Sequence, residues 1–226
     1  MITYIARYSD KIKEGIRGLY PELRNNAAKE ELLFVRPESS PVIPKVSVRL
    51  LYCEDGIAGL FEVEDHYMVC NTDDPMGPVW QDSCVEFFFK PSGLKGYFNF
   101  EFNCIGIVYA SYVVNPERTP DGFKEFKKFS ASDCGLILTD SSIRDKFDGE
   151  IEGPAEWSLA FYIPFNLLGN YSEKEIEIRQ GWRCNFYKCA DASSHPHWLS
   201  WAPVEELNFH APQSFGKLEF KNKEGI

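Results

Sequence analysis

The chain has 226 residues, of which 44% are hydrophobic and 15% aromatic, and this composition suits broad β-sheets in one large domain. Its net charge of -10 at pH 7 repels phosphate backbones and anionic lipids, and no local cluster of Lys and Arg offsets it, so neither nucleic acid nor a membrane is expected as a partner. No run reaches the about 18 consecutive apolar residues that a membrane-spanning helix needs.

The chain start and the cysteines bear on the compartment. The opening MITYIARYSD has no basic segment followed by an apolar one and no small-residue cleavage site, which predicts a cytoplasmic protein. The alternative is a secreted or periplasmic protein whose leader has been removed. The seven cysteines are odd in number, form no CxxC pair and mostly lie in strand-like runs, so they are predicted to be small buried side chains.

Along the chain, strand patterns dominate. Residues 19–34 predict a short helix or an irregular loop, and the prolines and serines of 37–45 predict a turn region. Runs rich in β-branched and aromatic residues then predict strands at 46–53, 56–70, 83–90, 96–104, 106–114, 134–140, 157–165, 181–191 and 215–220. Hairpins are expected at 52–59 and 102–110, and one helical turn at 164–168.

This order of elements predicts an all-β fold. No linker or repeat divides the chain, so residues 1–226 are expected to form a single domain. Short, regularly spaced strands with almost no helical periodicity are typical of an antiparallel β-sandwich of jelly-roll type, with short helical turns in loops.

The segment YFNFEFNC, residues 97–104, alternates strictly between apolar and polar side chains. Successive strand residues point to opposite faces, so Phe98, Phe100 and Phe102 are predicted to line the core. The opposite face would be either an ordinary solvated sheet face or a ligand surface. If the runs 83–90 and 181–191 lie beside this strand, the polar faces of all three meet. The candidate hydrogen-bonding residues on that shared face are Glu86, Asn99, Glu101, Asn103, Arg183, Asn185 and Tyr187.

Tryptophans in loops, together with such a polar face, favour a sugar as the ligand, because indole rings stack on the flat C–H faces of sugars. Trp80 lies in a loop directly before the run that carries Glu86. Trp198 and Trp201 lie in the proline-bounded loop after 181–191. One loop Trp at each edge of a polar face would form a clamp, although burial in the core is at least as common for any single Trp. Trp157 and Trp182 are assigned to the core.

Two motifs carry a resemblance to a known family. The spacing W-x-D-x-x-x-E is met by Trp80, Asp82 and Glu86, and the closing run F-H-x-P-x-x-F-G-x-L-x-F is met by residues 209–220. With the strands between them, these motifs resemble the carbohydrate-binding module family 9-like, or DOMON-like, β-sandwich over residues 40–220.

The resemblance implies non-catalytic binding of an oligosaccharide or polysaccharide chain end between two tryptophans, in polysaccharide utilisation. It makes Trp80 the first stacking ring, Glu86 a hydroxyl-binding carboxylate and Asn103 a hydrogen-bonding residue. Trp198 is the expected second ring, with Trp201 in reserve. Glu101 stands where such modules commonly place arginine, which is a departure from the family pattern.

Other readings remain open. A glycoside hydrolase, of the kind associated with xylanases, could use Glu86 and Glu101 as its two carboxylates. A protein–protein adaptor is a third class. The acids Asp73 and Asp74 could hold a structural calcium ion, as in some relatives. No cofactor is expected to be needed for binding.

Overall fold

A computed structural model describes residues 1–222, except the side chains of residues 14 and 17. The last four residues of the predicted domain, 223–226, lie outside the described residues. The strands are β1 (Thr3–Tyr8), β2 (Glu30–Glu31), β3 (Phe34–Val35), β4 (Lys45–Tyr52), β5 (Gly56–Val69), β6 (Cys84–Lys90), β7 (Tyr97–Asn103), β8 (Val108–Thr119), β9 (Gly122–Lys128), β10 (Leu138–Ser141), β11 (Glu150–Pro164), β12 (Trp182–Cys189), β13 (Trp198–Ser200) and β14 (Gly216–Lys221). The α-helices are α1 (Leu19–Asn26), α2 (Ala131–Cys134) and α3 (Phe165–Ser172), and 3-10 turns cover Asp10–Glu14, Ile16–Gly18, Val79–Gln81 and Pro212–Ser214.

The strands form two layers joined at one corner. Hydrogen bonding follows the order β10-β11-β5-β4-β1-β14-β12-β6-β7-β8-β9. The first layer runs from β10 to β4, and the second runs from β12 to β9 and faces it. Phe102 of β7 stacks on Phe161 of β11 with ring centroids 5.0 Å apart, and Phe61 of β5 contacts Phe186 of β12 at 6.2 Å. The architecture confirms the predicted β-sandwich.

Strands β1 and β14 connect the two layers, and the parallel pairing found there was not part of the antiparallel prediction. Strand β1 pairs in parallel with both β4 and β14, and its residues were not predicted to form a strand. The short strands β2, β3 and β13 and the charged strand β9 were also missed. All other pairings are antiparallel among the described strands.

Most predicted elements are present. The two hairpins are β4–β5 and β7–β8, the helical turn after residue 164 is α3, and the N-terminal helix is α1. The strand predicted at 134–140 is wrong in its first half, because Ser130 caps the short helix α2 by accepting a hydrogen bond from the Asp133 backbone N–H. Among the described residues, no helix is long and apolar enough to cross a membrane.

The core lies where the alternation of apolar and polar residues in 97–104 predicted it. Phe98, Phe100 and Phe102 have no exposed surface and pack with Trp157 and Trp182, which are 2% and 1% exposed. All seven cysteines are buried and free, which confirms their prediction as small core side chains. The face of β7 that carries polar residues is also covered, so it is not a solvated sheet face.

Candidate functional site

A cleft of about 590 Å³ opens on the outer face of the second layer. Its volume lies within the range of about 300–1,000 Å³ that is typical of small-molecule sites. We call this space the cleft throughout. Its lining residues are Trp80, Glu86, Glu101, Tyr109, Arg118, Phe123, Cys189, Asp191, Trp198, Leu207, Asn208, Phe209 and His210.

Two carboxyl groups form the floor of the cleft. Glu86 on β6 and Glu101 on β7 are directly opposite each other in the antiparallel ladder, so their side chains share one face. They are 3% and 4% exposed. The Cys189 thiol donates to Glu86 Oε1 at 3.2 Å, and Asn99 Nδ2 donates to Glu101 Oε1 at 2.7 Å. Glu101 Oε2 is buried and has no hydrogen-bond partner among the described residues.

Burial makes both floor carboxyl groups weak acids, because the charged form is poorly solvated there. Burial raises the pKa of Glu86 well above its ordinary value, and the nearby Cys189 and Glu101 add to this. Burial also raises the pKa of Glu101 to about 7, although the Asn99 hydrogen bond and the Arg118 charge oppose that rise. Glu101 therefore changes its charge near neutral pH.

Trp80 and Trp198 form aromatic walls, and both are partly exposed. Trp80 meets the Tyr109 ring edge to face, with centroids 5.5 Å apart. Trp198 donates from Nε1 to Asp191 Oδ1 at 2.8 Å, and the Asp191 backbone N–H donates to the Trp80 carbonyl at 3.2 Å. These bonds fix the Trp198 indole relative to the backbone of Trp80.

The β8–β9 hairpin and a C-terminal loop complete the cleft. The Arg118 guanidinium lies over the Phe123 ring, 4.2 Å from its centroid. His210 Nδ1 and the Tyr97 hydroxyl are 2.9 Å apart. Burial lowers the pKa of His210 to about 3, and the Arg118 charge contributes, so this imidazole is neutral at physiological pH. Of the described residues that line the cleft, Arg118 is thus the one cation.

Several lining residues were not identified from the sequence. Phe209 and His210 belong to the closing motif, so that motif is the signal that could have placed them here. Asp191 is different, because alternation in the run 181–191 already places it on the polar side with Arg183, Asn185 and Tyr187. Arg118 and Phe123 lie beyond the strand end predicted at residue 114, and nothing in their local pattern marks them as site residues.

The amides of β7 serve the fold rather than the cleft. Asn99 is fully buried, donating to Glu101 and accepting from the Ser111 hydroxyl. Asn103 is fully buried and donates to Asp82 Oδ2 at 2.9 Å and to the Thr72 carbonyl at 2.8 Å. Asn103 therefore has its hydrogen-bonding capacity taken by protein groups.

Four further candidates lie outside the cleft lining. Asn185 is fully buried and bonds both backbone groups of Ala202. Tyr187 is fully buried and donates to the Phe209 carbonyl at 3.1 Å. Arg183 donates to the Phe215 carbonyl, and Trp201 is 1% exposed in the core. The structure thus brings Trp80, Glu86, Glu101 and Trp198 together in the cleft. The four candidates of this paragraph lie outside it.

Two groups of acidic or thiol side chains are relevant to metal binding. Asp73 is exposed and pairs with Lys146 at 2.9 Å, and Asp74 is exposed. The calcium site there stays a prediction. Within the described residues, Cys84, Glu86 and Cys189 have potential ligand atoms within 4.8 Å of one another. Burial raises the pKa of Cys84 to about 12, so this thiol is protonated at neutral pH, whereas metals bind thiolates.

A second cavity is larger, about 720 Å³, and lies beside β4 and β5. Charged and aliphatic side chains line it, and its tryptophan, Trp157, is 2% exposed. It therefore offers no indole face to a ligand, whereas the smaller cleft offers two.

Comparison with known proteins agrees with the fold. The model of carbohydrate-binding family 9 matches residues 21–220. The chain therefore belongs to carbohydrate-binding family 9. No curated protein matches the sequence.

Solved structures show the same architecture. A crystal structure from Bacteroides uniformis ATCC 8492, provisionally described as a carbohydrate-binding protein, is similar with a TM-score of 0.85 and 28% identity, over 97% of this chain and 99% of that one. A family 9 carbohydrate-binding module from Caldicellulosiruptor kristjanssonii, in complex with glucose, has a TM-score of 0.65 at 12% identity, over 100% and 98% of the two chains. A family 9 carbohydrate-binding module from Caldicellulosiruptor kristjanssonii in complex with cellotriose has a TM-score of 0.62 at 14% identity, over 99% of this chain and 96% of that one.

Proposed function

We propose that this protein binds the end of an oligosaccharide or polysaccharide chain in the cleft, without cleaving it, as part of polysaccharide utilisation. The observation that carries the proposal is that two partly exposed indoles and two buried carboxyl groups line one space. Family membership supports carbohydrate as the ligand class.

The walls suit the apolar faces of a sugar. The Trp80 ring is braced by Tyr109, and the Trp198 ring is fixed through its Nε1 hydrogen bond to Asp191. Because these rings are held before ligand arrives, little side-chain entropy is lost on binding. A pyranose ring stacked on either indole would bury its C–H face there.

The floor suits sugar hydroxyl groups. An ionised carboxylate accepts hydrogen bonds, and a protonated carboxyl group both donates and accepts. Glu101 Oε2, which has no partner, is the first acceptor that we expect a ligand hydroxyl to reach.

Hydrolysis by Glu86 and Glu101 is the competing function, since their facing positions would suit a pair of carboxylates. A retaining glycosidase needs one protonated acid and one ionised nucleophile. Burial raises the pKa of both groups here, and in the described part of the chain neither accepts a hydrogen bond from a cation that would keep it ionised. This environment favours binding over nucleophilic attack.

The experiment is a titration with glucose, cello-oligosaccharides and xylo-oligosaccharides, followed by calorimetry and tryptophan fluorescence. Three of the five tryptophans, Trp157, Trp182 and Trp201, are at most 2% exposed, so a ligand-induced change would report Trp80 and Trp198. We expect Trp80→Ala and Trp198→Ala each to weaken binding at least about tenfold, because each removes one stacking surface.

Phe34→Ala is the matched control, since Phe34 is an aromatic side chain that is 44% exposed and lies outside the cleft. Its affinity should equal that of the unaltered protein. The same sugars are incubated with the protein and inspected for shortened products. Products that disappear in Glu86→Gln would replace our proposal with hydrolysis, and affinities insensitive to both Trp variants would exclude the cleft as the site.

A further inference from the structure

The ionisable groups lining the cleft are unbalanced in favour of acids. Glu86, Glu101 and Asp191 contribute three carboxyl groups, against the single guanidinium of Arg118. His210 adds no positive charge, because burial lowers its pKa to about 3. The whole chain carries a net charge of -10, so its wider field also attracts cations.

Arg118 does not neutralise the floor through a direct contact. It lies over the Phe123 ring, and no ion pair among the described residues joins it to a carboxylate. Its charge acts on Glu101 only through space. A place for a second cation therefore remains beside the floor.

Glu101 has an unused acceptor. Its Oε1 receives the Asn99 amide, while its buried Oε2 receives nothing within residues 1–222. A buried carboxylate oxygen without a donor is costly, and a charged donor repays that cost better than a neutral hydroxyl.

The aromatic residues around these acids also favour a cation. Indole and phenol faces attract positive charge through the ring quadrupole, and aromatic residues grouped with carboxylates are a known arrangement for ammonium recognition. Trp80 and Trp198 line the same space as the three carboxyl groups, whereas the Tyr109 ring already has the Lys128 ammonium 5.8 Å from its centroid. Burial keeps these acids partly protonated in the free protein, and a bound cation would lower their pKa values and favour the carboxylate form. A neutral sugar uses the stacking faces but supplies no such cation.

We propose that the cleft prefers a sugar with a free, protonated amine, namely a 2-amino-2-deoxyhexose at a chain end, whose ammonium group pairs with Glu101 beside the tryptophan walls. This inference rests on the proposed sugar-binding function and narrows its ligand class. Uronic acids should bind worst, because their carboxylates meet the acidic floor, and N-acetylation should remove the advantage by removing the charge.

The test compares β-1,4-linked glucosamine, N-acetylglucosamine and glucose oligomers of equal length by calorimetry at about pH 7. At this pH Glu101 and the sugar amine are each partly charged, and pairing favours the charged form of both. We expect the free-amine oligomer to bind at least about tenfold more tightly than either neutral oligomer, or about 1.4 kcal/mol. Raising the salt concentration should reduce this ratio, because ion pairing is screened.

Substitutions of single acids test whether the amine preference depends on the charge or on the shape of the side chain. Glu101→Gln keeps the size of the side chain and one acceptor oxygen but removes the charge. We therefore expect the amine preference to fall towards onefold, because the free-amine oligomer loses more affinity than the glucose oligomer does. Asp191→Asn still offers an acceptor to Trp198 and should reduce the preference less. Glu152→Gln, an exposed acid away from the cleft, is the matched control and should change neither affinity. Melting curves establish that each variant is folded.

The outcomes are distinct. If neutral oligomers bind as tightly as the free-amine oligomer, or if the preference survives Glu101→Gln in a folded protein, the amine inference is refuted and the sugar-binding proposal stands. If no oligomer binds at all, both are refuted.

Discussion

A buried charged group ties the two layers together at one end of the sandwich. Lys188 on β12 has a fully buried side chain, and it lies on the core side of that strand, two residues after Phe186. Its ammonium is 3.5 Å from Asp65 Oδ2 on β5 and donates to His197 Nε2 at 2.8 Å and to the Cys189 carbonyl at 3.0 Å. Asp65 is the one anion in this set.

Replacing Asp65 by Asn should therefore be severe. The ammonium would keep its neutral acceptors but lose its counter-charge, and its side chain has no exposed surface from which to reach water. Breaking a buried ion pair by removing one partner costs about 3–5 kcal/mol. This is a large part of the about 5–15 kcal/mol that stabilises a typical domain.

Urea unfolding, followed by circular dichroism, measures this loss. Glu64→Gln is the matched control on the same strand, because Glu64 pairs with Lys45 at 2.9 Å but the two side chains are 61% and 81% exposed. We expect no measurable change there. The double variant Asp65→Leu with Lys188→Met should regain most of the lost stability, since an apolar pair removes both buried charges. An Asp65→Asn variant as stable as the control would refute this account of the group.

Three further predictions concern stability. Burial lowers the pKa of His197 to about 3, so below its ordinary value near 6.5 the unfolded chain binds a proton that the native protein does not. Glu86 and Glu101, whose pKa values are raised, act in the opposite direction, so the effect of His197 is measured as a difference. The stability of the protein relative to a His197→Gln variant should fall by up to about 1.4 kcal/mol per pH unit from pH 6 to 4, and a constant difference in urea unfolding would contradict this. Asn103→Leu should lower the melting temperature, because Asp82 Oδ2 and the Ile107 N–H lose a buried partner at about 1–3 kcal/mol each, while sugar affinity stays unchanged. Trp201→Ala should lower the free energy of unfolding, measured in urea, by about 3–5 kcal/mol. The ligand-induced fluorescence change should remain, whereas a variant of Trp80 or Trp198 should reduce it.

The core was predictable from sequence because alternation is a local property. The phenylalanines of β7 and the tryptophans Trp157 and Trp182 lie where the pattern put them. The opposite face of β7 could not be assigned in the same way. Whether Asn99 meets water, ligand or protein depends on segments distant in the chain, and alternation contains no information about them.

The same distinction between local pattern and distant contacts applies to the candidate site. Trp80, Glu86 and Glu101 were available to sequence reasoning, since a loop tryptophan and two strand carboxylates each have a local signature. Arg118 and Phe123 reach the cleft only because β8 continues past residue 114 and turns into β9. That hairpin is charged and irregular in register, so its pattern resembles a surface loop.

The position of β1 affects how the protein folds. Its residues Thr3–Tyr8 pair with the strand that ends at Lys221, so the ladder joining the layers contains segments from opposite ends of the described chain. Contacts between remote segments carry a large loop-closure cost and slow folding. During synthesis, β1 is made long before β14, and it cannot complete its parallel pairing until Gly216–Lys221 exist. Until then the β14-facing edge of β1 is unpaired and available to other chains.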